Sequence, residues 1–203
     1  MVDALLRRQS LQRLAATLDF WTQRQGMRFV DLPWSVPACY LQATRPPGAP
    51  DAALDTHYGQ FVCSGEQSFM ALWDQGLLPD AAGYIGWTPC IRNEPLDDLH
   101  QYGFMKAELF SPAISPEDGL AGVMAFTLEQ RRLFRELAQV DYGIDILPAL
   151  GLEQVASDQW DILLGGIEIG SYGIRTFKEQ LYVYGTALAE PRFSIAVERL
   201  LQR

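Results

Sequence analysis

With 203 residues, 48% of them hydrophobic and 20% charged, the chain can bury one sizeable core, and its composition excludes a collagenous, low-complexity or disulfide-rich design. Sixteen basic against twenty-five acidic residues leave a net charge of −9, which argues against a broad nucleic-acid footprint, because phosphate binding is driven by basic surface; a localised basic groove stays open. Cys39, Cys63 and Cys90 are widely spaced, odd in number and in no CxxC pattern, so reduced intracellular thiols are expected rather than a disulfide or zinc site.

Leu5, Leu6, Leu11, Leu14, Leu18 and Trp21 recur at helical spacing, and Gly26 supplies a stop, which predicts an opening amphipathic helix. Arg7, Arg8, Gln12 and Arg13 interrupt its apolar residues, so it is neither an export signal nor a membrane span; a soluble cytoplasmic protein is expected. The segment Met27–Leu41 is β-branched and aromatic but punctuated by Pro33 and Pro37, which confines it to an edge strand or extended segment. Residues 44–55 form the clearest loop. Beyond it the sequence predicts a strand over 57–65, a short helix over 66–76, and two strands, 83–94 and 103–110, joined by an acidic loop. Ser115 followed by Pro116 marks a helix start, and that helix runs toward Gln139. Residues 158–177 read as a glycine-punctuated β-hairpin, and 191–203 as a strand turning into a helix. With no repeat or long linker, the expectation is one α+β domain over residues 1–203, an antiparallel sheet flanked by helices.

The paired strands around 90–109 carry chemistry. One bears Arg92 and Glu94 and the other Phe104, Lys106 and Glu108, and alternation along a strand puts such residues on one face. A guanidinium grips phosphate, a ring stacks on a purine, and a carboxylate holds Mg²⁺ or an ammonium group. Two readings follow from these residues alone: a nucleotide platform, or a surface hairpin with cross-strand ion pairs worth about 0–1 kcal/mol each.

At this point the chain resembles a known family. Residues 90–108, with Arg92, His100, Phe104 and Glu108, resemble motif 2 of the class II aminoacyl-tRNA synthetases, where an FRxE strand, a loop and a strand opening on phenylalanine bind ATP. The resemblance implies that Arg92 holds the α-phosphate, Phe104 stacks on adenine and His100 lies near the γ-phosphate, with Glu94 also on the ATP side; Gly103 departs from the usual glutamate. Residues 24–33 resemble motif 1 and imply a homodimer through the region Gly26–Pro33. Residues 64–69 resemble the element that contacts the amino acid, implying roles for Glu66 and Gln67, with Lys106 beside them. Residues 161–175 are similar to the strand pair of aspartyl-tRNA synthetases and of ammonia-dependent asparagine synthetase. There a glutamate that helps bind Mg·ATP is followed seven residues later by an arginine for the aspartate side chain, here Glu168 and Arg175. Seven is odd, so the two would face opposite sides of a flat strand unless a bulge or bend at Gly170 or Gly173 re-aims one. Residues 192–200 resemble motif 3, with Arg199 as the γ-phosphate clamp.

The resemblance implies a class II synthetase-like catalytic domain without an anticodon-binding domain. Its implied activity is ATP- and Mg²⁺-dependent activation of an amino acid, aspartate or an analogue, with Arg92 and Arg199 as catalytic residues and Glu168 and Glu108 holding the metal. tRNA is expected at most through its acceptor end. Two other classes stay open: a catalytically silent paralogue that senses nucleotide or amino acid or serves as a partner subunit, and an interaction module that keeps only the fold.

Overall fold

The structure, a computed structural model, describes residues 8–45, 48, 51–79, 82–113 and 115–203. Leu5, Leu6 and Arg7 of the expected first helix, and Pro46, Pro47, Ala49 and Pro50 of the expected loop, lie outside the described residues.

Helix α1 (Arg8–Asp19) continues through one π-helical turn, Phe20–Arg24, that seats Phe20 and Trp21 in the core, and the chain leaves it at Gly26 with φ +69°. Two short strands follow, β1 (Arg28–Phe29) and β2 (Ser35–Val36). The extended reading ends at Pro37, which precedes helix α2 (Ala38–Thr44), because proline's fixed φ suits a helix entrance as well as a strand break. Strands β3 (Asp55–Thr56) and β4 (Gly59–Phe61) form a small sheet with β2, and α3 (Gly65–Asp74) begins immediately after.

The main sheet comprises β5 (Tyr84–Ile91), β6 (Gly103–Ala113), β7 (Leu150–Ala156), β8 (Gln159–Leu164), β9 (Ile167–Phe177) and β10 (Gln180–Glu190), with β1 at one edge. Its order is β1-β5-β6-β10-β9-β8-β7; every pairing is antiparallel except that of β1 with β5. Helix α4 (Pro116–Tyr142), whose amide at Asp118 donates to the Ser115 hydroxyl cap, crosses the sheet, and α5 (Arg192–Leu201) follows β10 directly.

Period-two alternation sorts the strand residues between two faces. Met105, Ala107 and Leu109 of β6 and Val183 and Ala187 of β10 join α1, α4 and α5 in one core. Phe110, Tyr182 and Tyr184 face the other way, against α2 and α3. Phe104, Lys106 and Glu108 share that second face, so the alternation that builds the core also aims the polar residues away from it.

The expected strand at 191–203 is instead helix α5, with Phe193, Ser194, Ala196 and Val197 on its buried stripe; the strand lies before it, as β10. Among the described residues no helix is long and apolar enough to cross a membrane.

Candidate functional site

A cavity of about 500 Å³ opens on the second face, between β6, β9 and β10 below and α2, α3 and the β3–β4 hairpin at its side; β5 ends at Ile91, so Arg92 and Glu94, expected on that strand, reach the cavity from the loop that follows it. It gathers Arg92, Glu94, His100, Phe104, Lys106, Glu66, Gln67, Glu168 and Arg175. Glu168 and Arg175 both reach it because the β8–β9 ladder slips one residue: Ile162 pairs with Gly170 but Leu163 pairs with Glu168. The extra residue, Ile169, reverses the parity of the strand, so the bend falls beside Gly170.

At the motif 2 end, the Arg92 Nε–H donates to the Cys63 carbonyl at 3.0 Å and its guanidinium carbon lies 5.0 Å from the Phe104 ring centroid. Glu94 is 3.9 Å from Arg92. His100 Nδ1 sits 2.9 Å from each Asp97 carboxylate oxygen; hydrogen bonds from the His100 ring and from the backbone amides of His100 and Leu99 hold the Asp97 pKa down to about 2.

At the other end, helix α3 opens on Ser64-Gly65-Glu66-Gln67. The Gln67 side-chain oxygen accepts from the amides of Cys63 and Ser64 at 2.8 and 3.3 Å, and its Nε2 donates to Thr44 Oγ1 at 2.9 Å. Gln67 therefore spends its amide on the scaffold rather than turning it to a ligand. Glu66, expected to face the amino acid, is buried with both oxygens engaged: Arg175 donates to one at 2.5 Å and the Tyr182 hydroxyl to the other at 2.8 Å. Arg175 also stacks on Tyr184, 4.3 Å from the ring centroid. That ring crosses β9 at Gly173, where a Cβ would sit 2.7 Å from the Tyr184 oxygen, so glycine is required there. Burial works against the charge on Arg175, but Glu66 outweighs it and its pKa stands above the ordinary arginine value. Tyr184 is pushed up to about 12, mainly by burial.

Two expected site residues change place. Glu108 was expected to hold metal, but it is 3% exposed and its oxygens are taken: Oε1 accepts from Ser64 Oγ at 2.5 Å and Lys106 Nζ at 2.6 Å, and Oε2 from the Glu66 amide at 3.1 Å. A carboxylate so occupied does not fit a divalent cation. The expected clamp Arg199 is absent from the cavity lining and donates to Asp98 at 3.1 Å, because its helix starts seven residues earlier and carries it about 10 Å along the axis. Arg192, at the first position of that helix, lines the cavity instead, 3.4 Å from Glu168. Its signal in the sequence was the Pro-Arg step that opens an amphipathic run.

Among the described residues no three His, Cys, Asp or Glu side chains gather as a metal cluster. A magnesium ion carried by phosphates needs only one or two carboxylates. Glu168 offers one; Asp161, which sequence reasoning passed over, is the candidate for the second, although it stands behind the lining itself, paired across the ladder with the lining residue Ser171. The Asp161 Oδ1 is buried with no hydrogen-bond partner among the described residues, and burial, then repulsion from Glu168, outweigh its polar neighbours and raise its pKa. Asp161 precedes Glu168 by seven residues across the same β8–β9 hairpin.

No protein-family model and no curated protein matches the chain by sequence. Among solved structures, a pyrrolysyl-tRNA synthetase of Desulfitobacterium hafniense superposes with a TM-score of 0.67 at 16% identity, over 98% of this chain and 73% of that one. A second structure of the pyrrolysyl enzyme from that organism gives 0.67 at 17% identity, over 93% and 68%. Seryl-tRNA synthetase from Pyrococcus horikoshii, complexed with ATP, gives 0.63 at 16% identity, over 96% of this chain and half of that one, 50%. At these identities the likeness is one of fold: the chain has the class II aminoacyl-tRNA synthetase catalytic fold.

Proposed function

We propose that the cavity activates an amino acid with ATP, giving an aminoacyl adenylate and pyrophosphate. The observation that carries this reading is the convergence of Arg92, Phe104, Lys106, Arg175 and Arg192 on one cavity of about 500 Å³, within the size of small-molecule sites, in the fold that the synthetases use. Phe104 offers a ring to the base, and Arg92, which now lies over that ring, has the reach to turn to the α-phosphate. His100 and Arg192 flank the path of the outer phosphates. Magnesium entering with the nucleotide would be held by Glu168 and Asp161, where it offsets phosphate charge when bound. In the chemical step a carboxylate oxygen of the amino acid forms a bond to the α-phosphorus, the bond from that phosphorus to the bridging oxygen breaks, and pyrophosphate leaves with the electron pair. No proton moves, so the protein's contribution is positioning and neutralisation of charge.

Aspartate or a close analogue is the proposed amino acid, since Arg175 is held by Glu66 with further N–H donors beyond the one spent on it. The proposed acceptor is ammonia, a small amine, a carrier protein or a tRNA acceptor end. Phe29 and Trp34, 47% and 50% exposed, support pairing of two copies through the region Gly26–Pro33. A silent, ligand-sensing paralogue is the second reading, favoured by one observation: Lys106, Arg175 and Arg192 each already carry an internal carboxylate partner. Amino-acid-dependent ATP–pyrophosphate exchange, run across the common amino acids, separates the two. Exchange stimulated by aspartate supports activation; ATP binding without exchange supports the sensor.

A further inference from the structure

Glu108 does not fit the metal, and what it does instead is visible in its partners. It is buried between the first turn of α3 and the Lys106 ammonium, which donates to it at 2.6 Å and to Ser64 Oγ at 3.3 Å. The Ser64 hydroxyl closes the triangle at 2.5 Å, and the Glu66 amide adds a third donor at the helix N-terminus, where the backbone dipole also favours an anion. The packing is specific to a glycine at the next position: a Cβ on Gly65 would meet Glu108 Oε2 at 2.8 Å and Thr88 Oγ1 at 3.2 Å. Lysine is ordinarily a flexible, strongly hydrated charge. Here its ammonium is pinned by two side chains while it lines the cavity.

Its place along the strand gives the pinning a purpose. Lys106 follows Phe104 by two residues on the same face of β6, and its anchor Glu108 hydrogen-bonds the amide of Glu66, whose side chain holds Arg175. Lys106 thus stands between the nucleotide end of the cavity and its amino-acid end. Activation must bring two anions together at that junction, the substrate carboxylate and the α-phosphate, and a fixed cation there is stabilising without any reorganisation during the reaction.

We propose that Lys106 is a catalytic residue that contacts the α-phosphate and the attacking carboxylate, and that Glu108 and Ser64 are its positioning residues. The inference rests on the activation reading. The step keeps the balance given above: one P–O bond forms, one breaks, pyrophosphate takes the electron pair, and Lys106 stays protonated throughout.

The test compares Lys106→Met, Lys106→Arg, Glu108→Gln and the double variant Lys106→Met/Glu108→Gln in exchange kinetics, with calorimetric titration of AMP and adenosine. Lys106→Met is expected to lower kcat about 100-fold, the scale of one lost charge-stabilising donor. Lys106→Arg, which keeps the positive charge, recovers part of that loss. Glu108→Gln falls in the same direction, and the double variant is no worse than Lys106→Met, because both changes remove one ammonium from one place. Glu108→Gln leaves the half-saturating magnesium concentration unchanged. The ratio of AMP to adenosine affinity narrows about tenfold in Lys106→Met. A rise of tenfold or more in the magnesium requirement of Glu108→Gln, or an unchanged kcat in Lys106→Met, overturns the assignment. If the wild-type protein shows no exchange, the activation reading fails by itself, and the AMP-to-adenosine ratio still decides whether Lys106 faces the α-phosphate: an unchanged ratio, or no binding of either ligand, overturns this inference as well.

Discussion

Arg13 sits on α1, far from the cavity in sequence, yet its replacement by methionine is expected to reach the site. The guanidinium is 2% exposed and donates through Nε to Glu190 at 2.5 Å, through one terminal nitrogen to Asp141 at 2.7 Å and through the other to Ser194 at 2.7 Å. Burial alone would lower its pKa, but Glu190 and Asp141 outweigh burial and raise it. Glu190 is 1% exposed and, among the described residues, keeps only the Ser194 hydroxyl, at 2.6 Å, as a hydrogen-bond partner if Arg13 is gone. Stranding one member of a buried pair costs about 3–5 kcal/mol. For a chain of this length each kcal/mol moves Tm by about 2–4 °C, so Arg13→Met should melt about 6–20 °C lower by calorimetry. Glu190 lines the cavity and leads through Pro191 into Arg192, so ATP affinity should fall with the same substitution. The pair Arg13→Met/Glu190→Met, which removes the buried charge at Glu190 and leaves the partly exposed Asp141 without Arg13, should be more stable than Arg13→Met alone. A Tm loss under about 2 °C in the single variant, or a double variant at least as unstable, would show that Glu190 does not depend on Arg13.

Three further outcomes follow from the site. Arg175→Leu should abolish aspartate-dependent exchange while ATP still binds by calorimetry; unchanged aspartate dependence removes Arg175 from recognition. Asp161→Asn should raise Tm at neutral pH without magnesium, because the folded-state pKa of Asp161 lies above its unfolded value. Its contribution is therefore whole below the unfolded pKa of about 4 and is lost as pH rises through the folded pKa, so the gain in Asp161→Asn should fade on acidification while magnesium-dependent ATP binding weakens. Phe104→Ala should cost about 1–3 kcal/mol of ATP affinity, the worth of a base–ring stack, with little change in Tm because the ring lines the cavity rather than the core.

The sequence made the local and paired features legible. Ser115 with Pro116 marks the start of α4, the run 66–76 reads as the helix α3, and the two strands expected on either side of the acidic loop appear as β5 and β6, although β5 ends at Ile91, just before Arg92. What it hid was register and order. Strand β10, the sheet's middle member, went unread because its small and apolar residues are buried on both faces and show no alternation. Missing that strand moved the closing helix too far along and put Arg199 where Arg192 stands. The pinned state of Glu108 was equally invisible, since it depends on a Glu66 amide 42 residues away, brought alongside only by tertiary packing. Glu168 and Arg175 share the cavity through a single bulge, which the glycines hinted at and only the β8–β9 ladder located.

If a carboxylate oxygen attacks the α-phosphorus, as proposed, that oxygen stays on the AMP. Incubating the protein with ATP, Mg²⁺ and aspartate bearing ¹⁸O in its carboxylates, then weighing the AMP by mass spectrometry, tests it directly. When the adenylate breaks down at its acyl carbon, the expected AMP carries one ¹⁸O. AMP without the label, or ADP as the sole nucleotide product, contradicts it.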